Sequence, residues 1–237
     1  MTGTLYLVPN LLGVAAPKDV LPARTIAAAQ RLNHFIVETP KVARAFLKTL
    51  SPHRAITDIA ITACEPRSTA NAQCAAWLKA GIDVGVISDA GCPGMADPGA
   101  AFVARAHQIG AIIVPLVGPS SVLLGLMASG FNGQHFAFHG YLPSKPPERD
   151  VALRALDRQV QMTGSTQIFI ETPYRNAAML DALREAVNAN THLCIAQNLG
   201  AAGETICSKA ASAWTDDDRS RFSIKSPTLF LLGKAQA

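Results

Sequence analysis

Short apolar segments alternate with helix-like segments through the first half of the chain, and this alternation restricts the folds available to it. The apolar segments are rich in β-branched residues and predict five strands, at 4–9, 34–39, 58–65, 83–88 and 111–118. Strands joined by crossover helices form right-handed βαβ units and a largely parallel sheet. Because these strands are apolar on both faces, we expect helices on both sides of the sheet.

The second half has a different pattern, with several short strands and fewer helices between them. Strands are predicted at 135–143, 166–173, 192–200, 204–211 and 227–233, and the last three have little helix between them. This arrangement indicates a mixed sheet. The sequence therefore predicts two α/β domains, 1–118 with a largely parallel sheet and 119–237 with a mixed sheet, bridged by one helix.

Composition excludes some classes of protein and leaves others open. With 237 residues, 49% of them hydrophobic, the chain can bury a sizeable core, and its net charge of +4 permits an RNA or phosphate-bearing partner without requiring one. The five cysteines form no CxxC pair, so neither a zinc site nor a disulfide framework is expected, which favours the reducing cytoplasm. No basic region precedes the first apolar stretch, and no apolar run reaches the ~20 residues of a membrane span, so we expect neither a signal peptide nor a membrane location.

Glycine-, proline- or polar-rich corners follow all five predicted strands of the first half. They read VPNLLG, ETP, CEPRST, SDAGCPGMADPG and VGPSS in chain order. In open parallel sheets ligands bind beyond the carboxyl ends of the strands, so corners that collect at this edge predict a cofactor site. Ordinary turns are the alternative, because every turn needs such residues.

The common cofactor and catalytic motifs are missing from these corners. The dinucleotide fingerprint GxGxxG, the P-loop, HExxH and GxSxG are all absent, which disfavours an NAD-dependent oxidoreductase, an ATP site, a zinc protease and the usual serine hydrolase. His135 and His139 are four residues apart on a predicted strand, about 13 Å along its axis, too far to share a metal. No metal is expected.

Three motifs, VISDAGCPGMADPG, VPLVGPSSVLLGLMASG and FIETPYR, carry a family resemblance in this order and spacing. Together they resemble the tetrapyrrole (corrin/porphyrin) methylase superfamily of S-adenosylmethionine-dependent methyltransferases. Within it they are most similar to the branch that includes bacterial enzymes methylating a ribose 2′-hydroxyl of small-subunit ribosomal RNA. The resemblance covers essentially the whole chain, and implies a homodimer with the methyl donor in a cleft between its two α/β domains and no metal.

The resemblance also implies which residues hold S-adenosylmethionine. Carried over position by position, they are Val8, Pro9, Asp89, Gly91, Cys92, Met95, Ala96, Asp97, Ser120, Ser121, Ile170, Glu171, Gln197, Asn198, Leu199, Pro227 and Thr228. Gly91 would let the backbone approach a ligand, and the serines begin a helix whose free N–H groups suit a carboxylate. Two residues have alternative roles: Asp97 as a helix cap and Cys92 as a small packing residue.

A hydroxyl acceptor benefits from a base, and three carboxylates are candidates. They are Glu38, Glu65 and Glu171, of which we favour Glu38 as the catalytic residue. Its alternative role is a surface carboxylate beside Lys41 and Arg44.

The corners expected to contact the methyl acceptor match the family less well than the three motifs do. VPNLLG, VETPKVAR and TACEPRST all depart from the usual sequences of the ribosomal RNA branch. Two basic clusters could contact phosphates or form solvated helix faces: Lys41, Arg44, Lys48 and Arg54, and Lys145, Arg149, Arg154 and Arg158. No aromatic residue is interleaved with them, so the sequence gives no indication of base stacking. We therefore expect a methyltransferase acting on ribosomal RNA, with a tetrapyrrole methyltransferase or a donor-binding module without turnover as alternatives.

Overall fold

The computed structural model of the 237-residue chain describes residues 1–51, 53–222 and 225–235. Its internal contacts divide the chain into two compact units, Met1–Ser120 and Ser121–Ala237. The domain boundary after residue 118 and the cleft between the domains remain predictions.

The first unit is a parallel sheet with helices on both faces. Its elements are β1 (Thr4–Leu7), α1 (Pro17–Val20), α2 (Ala23–Arg31), β2 (His34–Val37), α3 (Pro40–Leu50), β3 (Ala60–Ala63), α4 (Arg67–Lys79), β4 (Val84–Ile87), α5 (Ala100–Gln108) and β5 (Ile112–Pro115). The strand order is β3-β2-β4-β1-β5, and every neighbouring pair is parallel. The predicted parallel sheet is confirmed.

Alternate residues of β2 show how the two faces are covered. Phe35 and Val37 pack in one buried cluster with residues of α2 and α3, and Ile36 packs in another with residues of α4 and α5. The chain thus leaves β1 toward α1 and α2 on one face and leaves β4 toward α5 on the other. Since β1 and β4 are neighbours, their carboxyl ends form the switch point where open α/β sheets bind ligands.

The second unit contains a mixed sheet, as predicted. Its elements are α6 (Ser121–Ser129), β6 (Phe136–Tyr141), α7 (Glu148–Thr163), β7 (Thr166–Glu171), α8 (Asn176–Ala186), β8 (His192–Gln197), β9 (Thr205–Ala210), α9 (Asp216–Phe222) and β10 (Thr228–Gly233). In the order β6-β7-β10-β8-β9, only the pair β6 and β7 is parallel among the described strands. The stacked rings of Phe169 and Phe230, with centroids 5.4 Å apart, lie in the core beneath α7 and α8.

The helices α4 and α5 of the first unit begin without a side-chain cap. α4 begins at Arg67, and its N-cap is Pro66. The helix after the β4 corner begins at Ala100 and has Gly99 as N-cap without a side-chain cap bond, so Asp97 does not cap it. The predicted strands are in place, but β1 to β5 each end before their corners and are shorter than expected.

Candidate functional site at the carboxyl edge of the parallel sheet

The corner after β4 is a tight loop that depends on glycine. Gly91 and Gly94 have φ of 67° and 85°, which glycine adopts without strain. The loop closes on itself through the Gly94 amide, which donates to the Pro98 carbonyl at 3.2 Å. A Cβ on Gly99 would lie 2.6 Å from the Gly94 nitrogen, so the two ends of the loop fit together only with glycine there.

Asn10 joins the corner after β1 to the corner after β4. This side chain is only 5% exposed, and its amide donates to the carbonyls of Ser88 and Asp89 at 3.2 and 3.0 Å. Its backbone amide donates to the Gly91 carbonyl at 2.9 Å. The sequence analysis selected Val8 and Pro9 from this corner and missed Asn10, although a polar residue directly after a buried strand was the available signal.

Asp89 joins the corner after β4 to the corner after β2. Its carboxylate accepts a hydrogen bond from the Thr39 amide at 3.0 Å and another from the Thr39 hydroxyl at 2.7 Å. In return, the Asp89 amide donates to Oε2 of Glu38 at 2.9 Å. These reciprocal bonds fix the orientation of both carboxylates. Thr39 is a second residue of this network that the sequence analysis did not select.

The corner after β5 closes the same edge. The Cys92 thiol lies 3.3 Å from the Pro119 carbonyl, and burial raises the thiol's pKa. A Cβ on Gly118 would lie 2.2 Å from the Cβ of Pro9, so the chain ends of β1 and β5 are in direct contact. Corners after β1, β2, β4 and β5 therefore meet at one edge. The Cys92 contacts agree with a packing role.

Acidic side chains are concentrated beside this network. Burial raises the pKa of Asp97 to about 6, with additional contributions from Glu38 and Asp89. An open pocket of about 120 Å³ lies next to it, between Glu65 and Arg67 after β3 and residues 97–102. Asp97 has no hydrogen-bond or ion-pair partner among residues 1–51, 53–222 and 225–235. The edge thus presents one unpaired carboxyl group whose ionisation changes near neutral pH.

The remaining positions in the first unit are distributed around this edge. Met95 is 44% exposed and Ala96 is exposed with φ of 65°, so both lie on the outside of the corner. Ser120 is 8% exposed at the end of the first unit, and Ser121 is the first residue of α6 in the second.

The second unit brings its own predicted residues together at one end of its sheet. Thr228 pairs in register with Glu171 on one side and with Gln197 on the other. The Asn198 amide donates to the Pro227 carbonyl at 3.1 Å, and Asn198 has φ of 53°. The other two predicted positions flank this set: Ile170 precedes Glu171 on β7, and Leu199 is 6% exposed.

Glu171 forms the main ion pair of this second cluster. Its Oε1 accepts hydrogen bonds from Nε and Nη2 of Arg175 at 2.9 and 2.6 Å, and from the Thr172 hydroxyl at 3.1 Å. The carboxylate is 2% exposed, and the pair raises the pKa of the guanidinium. Glu171 was expected from the sequence as a contact to S-adenosylmethionine and as one of three candidate bases, whereas Arg175 was not selected, although both lie in the motif FIETPYR. In the structure Glu171 holds Arg175.

Among residues 1–51, 53–222 and 225–235, no group of three histidine, cysteine or acidic side chains could hold a metal ion. In the same part of the chain, no helix combines the length and apolar character needed to cross a bilayer.

A parallel sheet with a polar switch point, followed by a mixed sheet, defines a two-part α/β protein of the kind that binds a ligand at the carboxyl edge. The sequence model of the protein family Tetrapyrrole (Corrin/Porphyrin) Methylases matches residues 10–213 of this chain. This chain belongs to that family.

Two curated relatives, each about a third identical to this chain, carry the same name. The chain is 32% identical over 235 residues to the "Ribosomal RNA small subunit methyltransferase I" of Mesorhizobium japonicum, covering 98% of this chain and 76% of the relative. It is also 32% identical over 196 residues to the protein of that name from Bacillus subtilis, covering 77% of this chain and 59% of the relative. The chain thus spans about three-fifths of the Bacillus relative's length.

Solved structures share the fold at low identity. One is a conserved hypothetical protein from Aeropyrum pernix K1, with a TM-score of 0.69 at 16% identity, covering 100% of this chain and 86% of that one. Another is uroporphyrin-III C-methyltransferase from Thermus thermophilus complexed with S-adenosyl homocysteine, with a TM-score of 0.61 at 14% identity, covering 98% of both chains.

Proposed function

We propose that this protein is an S-adenosylmethionine-dependent methyltransferase that modifies RNA, at a ribose 2′-hydroxyl of small-subunit ribosomal RNA. The observation that carries the proposal is the network of Asn10, Thr39 and Asp89 at the switch point, in a chain that belongs to a methylase family. The RNA substrate is supported by the name that the curated relatives share.

The chemistry of the β4 corner suits a cationic donor. S-adenosylmethionine carries a positive sulfonium and a positive ammonium group, and Glu38, Asp89 and Asp97 supply negative charge within one small region. A Cβ on Gly91 would lie 3.1 Å from the Leu12 side chain and 3.4 Å from the Pro119 carbonyl, so glycine lets the corners pack closely around the proposed donor position. Ser120 and Ser121 are proposed to hold the donor's carboxylate at the start of α6.

The bound donor would supply an electrophilic methyl group, and the protein's part is to align the acceptor and take its proton. We assign Glu38 as the base that takes this proton. Its Oε2 accepts a hydrogen bond from the Asp89 backbone amide at 2.9 Å. This anchor holds the carboxylate at the sheet edge, and a base fixed in this way contributes ~10²–10⁴-fold to a proton transfer. The remaining family-implied positions in both units are proposed as donor contacts, and the enzyme is proposed to act as a cytoplasmic homodimer.

A tetrapyrrole substrate is the second candidate. The family description and the uroporphyrin-III C-methyltransferase fold relative favour it. The third candidate is a donor-binding module without turnover, which the unusual corners VPNLLG and CEPRST favour.

One transfer assay separates the three candidates. Protein and donor carrying a labelled methyl group are incubated with small ribosomal subunits, with RNA extracted from them, and with a porphyrinoid. Label in RNA at a ribose, located by nuclease digestion and mass spectrometry, supports the proposal. Label only in the porphyrinoid supports the second candidate, and donor binding without transfer to any acceptor supports the third.

Two variants assign the roles within that assay. Asp89→Ala should weaken donor binding, whereas Glu38→Gln should bind donor and lower the transfer rate at saturating donor by about 100-fold. A Glu38→Gln enzyme with the parent rate would remove Glu38 from the reaction and leave the methyltransferase assignment intact.

A further inference from the structure

Two tyrosines lie exposed at the carboxyl edge of the parallel pair β6 and β7. Tyr141 is the last residue of β6 and is 59% exposed, and Tyr174 lies in the turn after β7 and is 68% exposed. They are separated by more than thirty positions in the sequence, but Tyr141 pairs in register with Ile170, only four positions before Tyr174. The fold therefore places both tyrosines at the same end of the β6 and β7 pair, which the sequence pattern alone does not indicate.

A bulge interrupts β6 just before Tyr141. The register with β7 shifts between Phe138 and Tyr141, and Gly140 between them has φ of 64°. A bulge changes the direction in which the next side chain points, and such irregularities are frequent beside functional sites. A Cβ on Gly140 would meet no atom within 4 Å, so glycine is needed there for its conformation and not for space.

Arg175 supplies a fixed positive charge beside the Tyr174 ring. Its guanidinium lies 5.4 Å from the centre of the Tyr174 ring, and Glu171 holds it through Nε and Nη2. Glu171 is the main cause of the raised pKa of Arg175, and the hydroxyls of Tyr174 and Tyr141 both add to it, which places all three groups within electrostatic reach. An arginine held in this way keeps its charge and loses little side-chain freedom when it binds a partner.

The segment beside the tyrosines is open to solvent. Residues 143–148, which include Lys145, are all exposed. Arg154 and Arg158 are also exposed, one turn apart on α7. Lys145 therefore offers an exposed positive charge shortly after Tyr141 in the chain, and two more lie on the following helix without forming a dense basic patch. Such a surface suits a flat aromatic ligand attached to a phosphate backbone better than it suits the closely spaced phosphates of a duplex.

We propose that Tyr141, Tyr174 and Arg175 form a stacking platform that binds unpaired bases of single-stranded RNA. The platform rests on the proposed function in that it names the form of the substrate: an unpaired segment and not a duplex. Aromatic side chains stack on any base face, and an arginine beside them binds the adjacent phosphate or stacks in its own right. An edge that exposes two rings and one anchored guanidinium has groups that can stack on bases and bind a phosphate.

Fluorescence anisotropy of a labelled, unstructured oligoribonucleotide tests the platform, with a duplex of the same length as the comparison ligand. We expect the single strand to bind more tightly than the duplex. Tyr141→Ala and Tyr174→Ala should each weaken single-strand binding about tenfold, whereas Tyr141→Phe and Tyr174→Phe should retain it because the ring is kept. Arg175→Lys should weaken binding less than either alanine variant, because it keeps the charge but loses the planar fork.

Phe136→Ala is the matched control. Phe136 is an exposed aromatic residue, 40% accessible, at the opposite end of β6. The same substitution there should leave RNA affinity unchanged, and thermal melts of all variants check that each is folded.

Three outcomes would overturn the platform: no single-strand binding by the parent, equal affinities for parent and tyrosine variants, or preference for the duplex. A change of oligomeric state in Tyr141→Ala or Tyr174→Ala without loss of RNA affinity would assign the surface to a protein interface instead. The methyl-transfer assay is independent of these measurements. Transfer to RNA with normal binding by the variants would refute the platform alone, and selective RNA binding without transfer would refute only the methyltransferase.

Discussion

The functional edges proposed for the two sheets differ in how their side chains are held: one carries a hydrogen-bonded network and the other carries exposed aromatic rings. At the carboxyl edge of the first sheet, Asn10 and Thr39 both bond to Asp89 and so join three corners; Asn10 is buried, and Thr39 and Asp89 are half-buried. At the end of the parallel pair in the second sheet, Tyr141 and Tyr174 are exposed and only Arg175 is anchored.

This difference separates two kinds of recognition. A network whose groups already satisfy one another has a single arrangement, so a small ligand bound there loses little free energy to reordering the protein. Two exposed rings can stack on a ligand in more than one conformation, which suits a flexible strand. This contrast supports the proposals that the closed edge contributes to holding the small donor and that the exposed rings of the open edge contact the large acceptor.

The largest expected effect comes from removing Arg175, the ion-pair partner of the buried Glu171 at the open edge. Arg175→Ala leaves the buried Glu171 carboxylate without its cation, and this should lower the free energy of unfolding by about 3 kcal/mol. Urea denaturation measures it. Arg67→Ala is the control, because its pair with Glu65 spans 3.8 Å with both side chains about two-thirds exposed, and it should change stability by less than about 0.5 kcal/mol. Equal losses would mean that the second edge is not built around a buried pair.

An intermediate effect is expected from overpacking the closed edge. Gly118→Ala would place a Cβ 2.2 Å from the Cβ of Pro9, so one of the two corners must shift at a cost of about 2 kcal/mol in unfolding free energy. In Gly133→Ala the new Cβ meets nothing within 4 Å, and stability should remain within about 0.5 kcal/mol of the parent. A tolerated Gly118→Ala would show that the corners after β1 and β5 are not tightly joined.

The smallest effect is a pH dependence that has opposite signs in the two units. The pKa of Asp97 is raised to about 6 by burial and by Glu38 and Asp89, so its favourable contribution is complete below about 3.8 and is lost as pH rises through about 6. Asp97→Asn should therefore be more stable than the parent by about 1 kcal/mol at neutral pH and similar to it in acid.

Asp218 of the second unit is the counterpart. Its hydrogen bonds from Lys209 and Thr215 lower its pKa to about 2, so its contribution is present above about 3.8 and is lost as pH falls through about 2. Asp218→Asn should be less stable than the parent at neutral pH. Urea denaturation at neutral and acidic pH checks both variants, and shifts of the same sign would contradict the assigned environments.

Much of the fold could be predicted from the sequence because it follows from local patterns. Apolar β-branched runs located the ten strands of the described part of the chain, and their alternation with helices in the first half predicted the parallel sheet. Helix starts were less predictable. Asp97 looked like a cap by residue type, but the glycines of its corner extend the loop to Gly99, which becomes the N-cap.

The sequence predicted where the site lies, but not which residues contact one another there. The corners after the strands identified the edge, because all carboxyl ends of a parallel sheet lie on one side. Thr39 and Asp89 are fifty positions apart, and Tyr141 ends β6 whereas Tyr174 lies in the turn after β7. Only the register of the strands and the bulge at Gly140 bring such residues together, and neither leaves a local signal in a single sequence.

Isothermal titration calorimetry with S-adenosylmethionine and S-adenosylhomocysteine tests the central claim most directly. We predict that the folded protein binds both, and that Asp89→Ala weakens binding about tenfold or more, because it removes a charge and the two bonds to Thr39 that orient the corner. Absence of binding by the folded parent to either compound would contradict the account.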